Sequence, residues 1–103
     1  MGYYTGDDAL DLPRWRGLLI VPTNPARREM EELDMDLFDA ADILENGFDC
    51  AKSKRGPGVY ERCIREGRKV LRVVAVPAEV QYPDGSVEKI WKIIHVGKGG
   101  VWK

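Results

Sequence analysis

The chain has 103 residues, 44% of them apolar, with eleven glycines, six prolines and a formal net charge of −1. That is the composition of one folded domain with one core, and it excludes the collagen-like and intrinsically disordered classes. Apolar runs reach only four residues, as at Leu18 to Val21, against the roughly twenty that a membrane-spanning helix needs. The acidic, glycine-bearing start has no signal-peptide pattern, so a cytoplasmic location with no membrane partner is the default expectation.

In chain order, residues 1–14 read as an N-terminal arm without a sustained period, residues 15–98 as a single domain and residues 99–103 as a tail. Trp15–Val21 is a strand or extended stretch stopped by Pro22. A helix follows, with Asn24 as its cap, Pro25 at its first position, and Ala26, Met30 and Leu33 forming an apolar stripe. Asp34 or Asp36 caps a second helix in which Leu37, Ala41 and Leu44 repeat that spacing and Phe38 widens the stripe. Asn46-Gly47 ends it, glycine accepting the left-handed conformation.

The rest reads as sheet. Strands are expected at Phe48–Lys54, Val59–Arg65 and Lys69–Val76, with a turn at Glu66-Gly67. Pro77 to Tyr82 continues the third strand as a bend or an edge. Pro83-Asp84-Gly85-Ser86 is a turn, and Val87–Val96 is the last strand. On that strand, strict alternation puts Ile90, Lys92, Ile94 and Val96 on one face and Trp91, Ile93 and His95 on the other. The expected fold is therefore α+β: two short N-terminal helices packed on a three- to four-stranded antiparallel sheet.

Charge is unevenly spread. Residues 1–46 hold eleven acids and four arginines, whereas residues 47–103 hold twelve basic groups and six acids. A basic face on an acidic frame can steer a polyanion; the alternative is that the two halves simply attract one another in the fold.

Cys50 and Cys63 are the only cysteines and His95 the only histidine. They cannot supply four zinc ligands within one protomer, so neither a metal nor another cofactor is expected. In a reducing compartment the cysteines are expected to be half-buried free thiols, with a cross-strand disulfide as the alternative. Glu31, Glu32, Asp34, Asp36, Asp39 and Asp42 are spread around helices rather than paired across a cleft, which argues against a metal hydrolase or a glycosidase.

The basic strands suggest phosphate chemistry. Lys52, Arg55, Arg65, Arg72 and Lys92 are candidates for phosphate binding, since guanidinium and ammonium groups match phosphate oxygens. Lys54 and Arg62 are candidates beside His95 for a catalytic set, in which the imidazole moves a proton. Trp91 and Tyr60 are candidates for stacking on bases. Each has a structural alternative: an imidazole packed beside Trp91 and Ile93, cations that keep strand edges solvated, and aromatic rings in the core.

The stretch from Asn24 to Gly47 resembles the opening of a family of small domains placed near the RelE- and BrnT-type ribonuclease toxins. Pro25-Ala26 stands where that family has His-Ala, Met30 matches its Met, and Leu33-Asp34-Met35 replaces its short link. Asp39, Ile43, Leu44 and Gly47 fit its second helix. The resemblance implies chemistry on an open sheet, including its last strand, and thus metal-independent RNA binding or cleavage with an antitoxin-like protein partner. The helix-one His of the family is absent here, Asn24 and Pro25 standing in its place. The competing expectation is a non-catalytic protein-interaction or homodimerising module.

Overall fold

The computed structural model describes residues 13–50 and 58–98. Its first element is a tight hairpin of β1 (Arg14–Trp15) and β2 (Leu18–Pro22), with Trp15 opposite Leu18 and Arg14 opposite Leu19. Only Arg16 and Gly17 connect them, both at positive φ (52° and 83°). Such a twisted two-residue turn suits the right-handed twist of the flanking strands.

Helix α1 (Asn24–Glu32) starts one residue earlier than Asn24 capping would place it. The cap is Thr23, whose hydroxyl accepts from the Ala26 N–H at 3.2 Å, and Pro25 lies in the first turn. Ala26 and Met30 are buried as the stripe requires. Helix α2 (Leu37–Asn46) is capped by Asp36. The Asp39 N–H donates to Asp36 Oδ1 at 2.8 Å, and the Asp36 N–H donates to Asp39 Oδ2 at 3.1 Å. Replacing Asp36 by Ala leaves the Asp39 N–H to water while the backbone N–H at position 36 keeps the Asp39 carboxylate, and a loss of about 1 kcal/mol in urea unfolding is expected. The buried face of α2 is Ala40, Ile43 and Leu44, while Phe38 is 59% exposed; the helix is thus rotated from the orientation its Leu37–Ala41–Leu44 spacing suggested.

Four more strands complete the chain: β3 (Phe48–Asp49), β4 (Tyr60–Glu66), β5 (Lys69–Gln81) and β6 (Val87–Lys98). The sheet has six strands in the order β1-β2-β6-β5-β4-β3. The fold is α+β, but the expected three- to four-stranded antiparallel sheet is corrected on both counts. β1 and β2 add to it, and β2 runs parallel to β6, with Ile20 opposite Trp91 and Pro22 opposite Ile93. The chain reverses through both helices and the other strands before β6 forms, and only such a long crossover permits parallel pairing. Phe48–Lys54 shortens to Phe48–Asp49, and residues 51–57 lie outside the described part.

β5 runs unbroken through Pro77. Its last pairing with β4 is Ala75 with Tyr60, so beyond it Pro77 has β6 as a neighbour but not β4. A residue without an N–H is tolerated where one side of the strand is unpaired. Past this point β5 and β6 continue as a two-stranded ribbon to the 82–86 turn. There Asp84 accepts from both the N–H and the hydroxyl of Ser86, and the Tyr82 hydroxyl donates to Glu88 at 2.6 Å. The Ser86 bonds hold the Asp84 carboxyl below its ordinary 3.8, and the Glu88 bond raises the Tyr82 phenol above 10.0. Asp84 therefore steadies the turn above its unfolded pKa and loses that effect as pH falls through its lowered one. Tyr82 does so below its unfolded pKa, losing the effect as pH rises through its raised one. Amide signals of Gly85 and Ser86 followed by NMR are expected to move at these two extremes and not between them.

A register shift breaks strict alternation in β6. Val74 pairs with His95 but Ala75 pairs with Ile93, leaving Ile94 as the extra residue. One extra residue reverses the side on which everything after it points. Val96, not His95, therefore joins Trp91 and Ile93 in the core, together with Val73 and Ala75 from β5 and Met30, Ile43 and Leu44 from the helices. Trp15 of β1 reaches Tyr60 of β4, with ring centroids 5.5 Å apart, although three strands separate them in the sheet order. The sheet is curled around its helix-bearing side.

Cys50 and Cys63 form a disulfide, with Cα atoms 5.3 Å apart. The expectation of free thiols is corrected: Phe48 pairs with Cys63, so Cys50 emerges from β3 beside the strand that carries its partner. The bridge packs on Val70 and Phe48 as a small second core.

Candidate functional site

β2 accompanies β6 only as far as Ile93. Beyond it, α1 takes over the exposed edge: the Thr23 N–H donates to Ile93 O at 2.9 Å, and the Val96 N–H donates to Glu29 Oε1 at 3.0 Å. The same carboxylate lies 3.1 and 3.2 Å from His95 Nδ1. Glu29 thus closes an open strand edge and grips the imidazole. A carboxylate accepts, so Nδ1 is the donor and Nε2 is the nitrogen left for other partners. The His95 side chain is 37% exposed, and Nε2 lies over Gly97, where an added Cβ would come within 3.2 Å of it.

The ladder register sorts the other candidates. Residues directly opposite one another share a side of the sheet. Arg65 is opposite Val70, Arg72 opposite Gly97, His95 opposite Val74, and Lys92 opposite Val76. Positions 70, 72, 74 and 76 are successive same-side positions of β5, so Arg65 on β4, Arg72 on β5 and His95 and Lys92 on β6 follow one another on one side at steps of roughly 7 Å along the strand direction. Arg65 and Lys92 are exposed. Arg72 Nη1 donates to the buried Glu61 at 2.9 Å and its Nη2 lies 3.4 Å from Lys98 O, which fixes the guanidinium and offsets part of its charge.

Three candidates go to the other side. Arg62 is opposite Val73; it donates to Gly47 O at 3.2 Å and lies 3.5 Å from Asp49, tying the end of α2 to β4. Trp91 is 7% exposed and packs at 4.6 Å from Trp15 and 5.1 Å from Tyr60. An indole so enclosed has no face to offer a base, and Tyr60 has one edge against it. Lys52, Lys54 and Arg55 lie outside the described residues.

Sequence reading missed Glu29, which it placed only among the acids off the apolar stripe. Nothing local marks it, because its partners are 66 and 67 residues away. Among the described residues, no group of three or more His, Cys, Asp or Glu is placed to hold a metal ion, and no helix is long and apolar enough to cross a membrane. A cleft of about 110 Å³ lined by Asp34, Asp39, Asp42 and Glu66 lies at the α1–α2 turn; none of these carboxylates touches the His95 group.

No protein-family model matches the chain, and neither the curated proteins nor the solved structures contain a match.

Proposed function

We propose that this chain is an RNA-binding domain whose contact surface is the side of the sheet bearing Arg65, Arg72, His95 and Lys92. The observation that carries the reading is their succession on four consecutive same-side rungs, a spacing suited to successive phosphates of an extended strand. Cationic groups so placed neutralise phosphates and release counterions, which favours binding without base specificity. The Glu29–His95 pair suits the site to cleavage as well. Nε2 takes the ribose 2′-hydroxyl proton as that oxygen bonds to phosphorus, and the P–O5′ bond breaks with the departing oxygen protonated by the imidazolium. Neighbouring guanidinium and ammonium groups offset the charge that grows on the phosphate. The family resemblance of the 24–47 stretch points the same way and adds an antitoxin-like protein as a partner.

The test is an amide-shift titration with a short mixed-sequence single-stranded RNA at two salt concentrations. Saturable shifts clustered on Arg65, Arg72, Lys92 and His95 are expected, with Lys92→Ala lowering the salt slope by about 0.7. His95→Ala is expected to leave binding largely in place and to remove any cleavage. Diffuse shifts that vanish with modest salt would defeat the reading.

A second reading, a protein-interaction or homodimerising module, is favoured by the β5–β6 ribbon. It exposes Tyr82 and Val87 and borders an apolar groove formed by Leu18, Pro77, Ala78 and Ile90. Shifts confined to the ribbon on concentrating the protein alone would support it over the first.

A further inference from the structure

Arg16 occupies a position that its residue type does not favour. The first central residue of this hairpin turn has φ 52°, where Asn, Asp or Gly is preferred and a long side chain has no local advantage. What Arg16 gains is a platform: its guanidinium carbon lies 4.4 Å from the Trp15 ring centroid and 5.1 Å from that of Tyr60. Trp15 is 2% exposed and the two rings meet at 79°, so the platform is rigid. Arg16 itself is exposed.

With the two rings at 79° a planar guanidinium can lie flat on only one of them, and the edge turned away from both keeps its N–H donors. Among the described residues no carboxylate or carbonyl takes those donors, and the contacts of Arg16 there are with the two rings. On the same tip Arg14 Nη1 donates to Gly17 O at 3.2 Å, which brings a second cation to the same turn. Neither arginine is paired with a carboxylate among the described residues. A guanidinium already held against two rings loses little freedom when it binds, and its N–H fork matches two oxygens of one oxyanion.

We infer that the tip of the β1–β2 hairpin is a phosphoryl-binding site in which Arg16, held over Trp15 and beside Tyr60, presents the N–H edge turned away from the rings to two phosphate oxygens and Arg14 adds charge. The shared chemistry is that of a phosphate ester, either free or within a nucleic-acid backbone. The site is separate from the His95 stripe: Trp15 belongs to the core on the helix-bearing side of the sheet, and His95 shares the side of Val74. Either assignment can fail without the other.

The experiment follows the Arg16 Nε–Hε NMR signal in the full chain, titrated with inorganic phosphate, with the same short RNA, and with sodium chloride at matched ionic strength. The key variant is Arg16→Asn, which removes the cation while creating the Asn-Gly pair that such turns prefer, so a loss of binding cannot come from a broken hairpin. Arg16→Lys keeps the charge and removes the fork. Phosphate or RNA, but not chloride, is expected to move the signal saturably. The ligand that does so is expected to bind about tenfold more weakly to Arg16→Asn, as for a lost charge-assisted hydrogen bond, with Arg16→Lys in between. A response to phosphate alone assigns the site to free phosphate esters, and a response to RNA alone or to both includes a nucleic-acid backbone. A signal that moves no further than in chloride, or equal affinity in Arg16→Asn, overturns the inference.

Discussion

Opening the Cys50–Cys63 bridge is expected to lower the unfolding free energy by about 3 kcal/mol, whether by a dithiol reductant or by the paired Cys50→Ala, Cys63→Ala substitution. The bridge joins residues 13 apart, and closing a loop of that size removes roughly this much chain entropy from the unfolded ensemble. Among the described residues the two-residue strand β3 is short, with two register pairs to β4, the packing of Phe48 in the small second core and the contact of exposed Asp49 with Arg62. Urea unfolding of oxidised and reduced protein measures the difference, and thiol labelling in denaturant establishes the starting state. Equal midpoints, or two labelled cysteines in the untreated protein, would remove the bridge from the account. Disulfides persist in oxidising compartments and in intracellular proteins of hyperthermophiles, and the free-thiol expectation rested on assuming a reducing compartment, which no residue of the chain specifies.

Gly47→Ala is expected to cost about as much, roughly 3 kcal/mol, the upper range for forcing extra atoms into a packed site. The reason is not the left-handed conformation usual for a helix-ending glycine, since Gly47 has φ −75°. An added Cβ would fall against the Ile43 carbonyl oxygen and 2.6 Å from that of Cys63. Both are backbone atoms, and the Ile43 oxygen also accepts from the Gly47 N–H at 2.8 Å. The end of α2 would have to lift from β4, taking the Arg62 bond to Gly47 O with it. At 4–8 °C per kcal/mol for a domain near this size, a drop of about 12–24 °C in Tm is the readout. A drop of only a few degrees would mean that the helix end yields easily.

Much of the fold was legible locally. Asn24-Pro25 and the choice of Asp34 or Asp36 announced two helix starts, because caps are satisfied within three residues, although the first cap is Thr23 and the reciprocal Asp39 bond went unread. Gly67 and Asp84-Gly85 announced two turns, and the β-branched runs around them announced β4, β5 and β6. The basic character of the later half, and hence Arg65, Arg72 and Lys92 as candidates, was equally plain.

Three decisions belonged to the tertiary structure. Leu18–Pro22 shows no alternation and no local sign of its neighbour, so its parallel place beside β6 depends on a partner some seventy residues away. The bulge at Ile94 turned Val96 inward and moved His95 to the side of Arg72 and Lys92; a single unpaired residue sets this, and periodicity cannot display it. Glu29 became the partner of His95 because β6 outruns β2 and needs an acceptor at Val96. The sequence by itself determined the two helices, β4 to β6 and which half carries cations, since those follow from contacts within a few residues, but it ran β1 and β2 together as one stretch. Which cations share a side of the sheet, which ring is buried and which carboxylate holds the histidine were decided only when distant strands set their register.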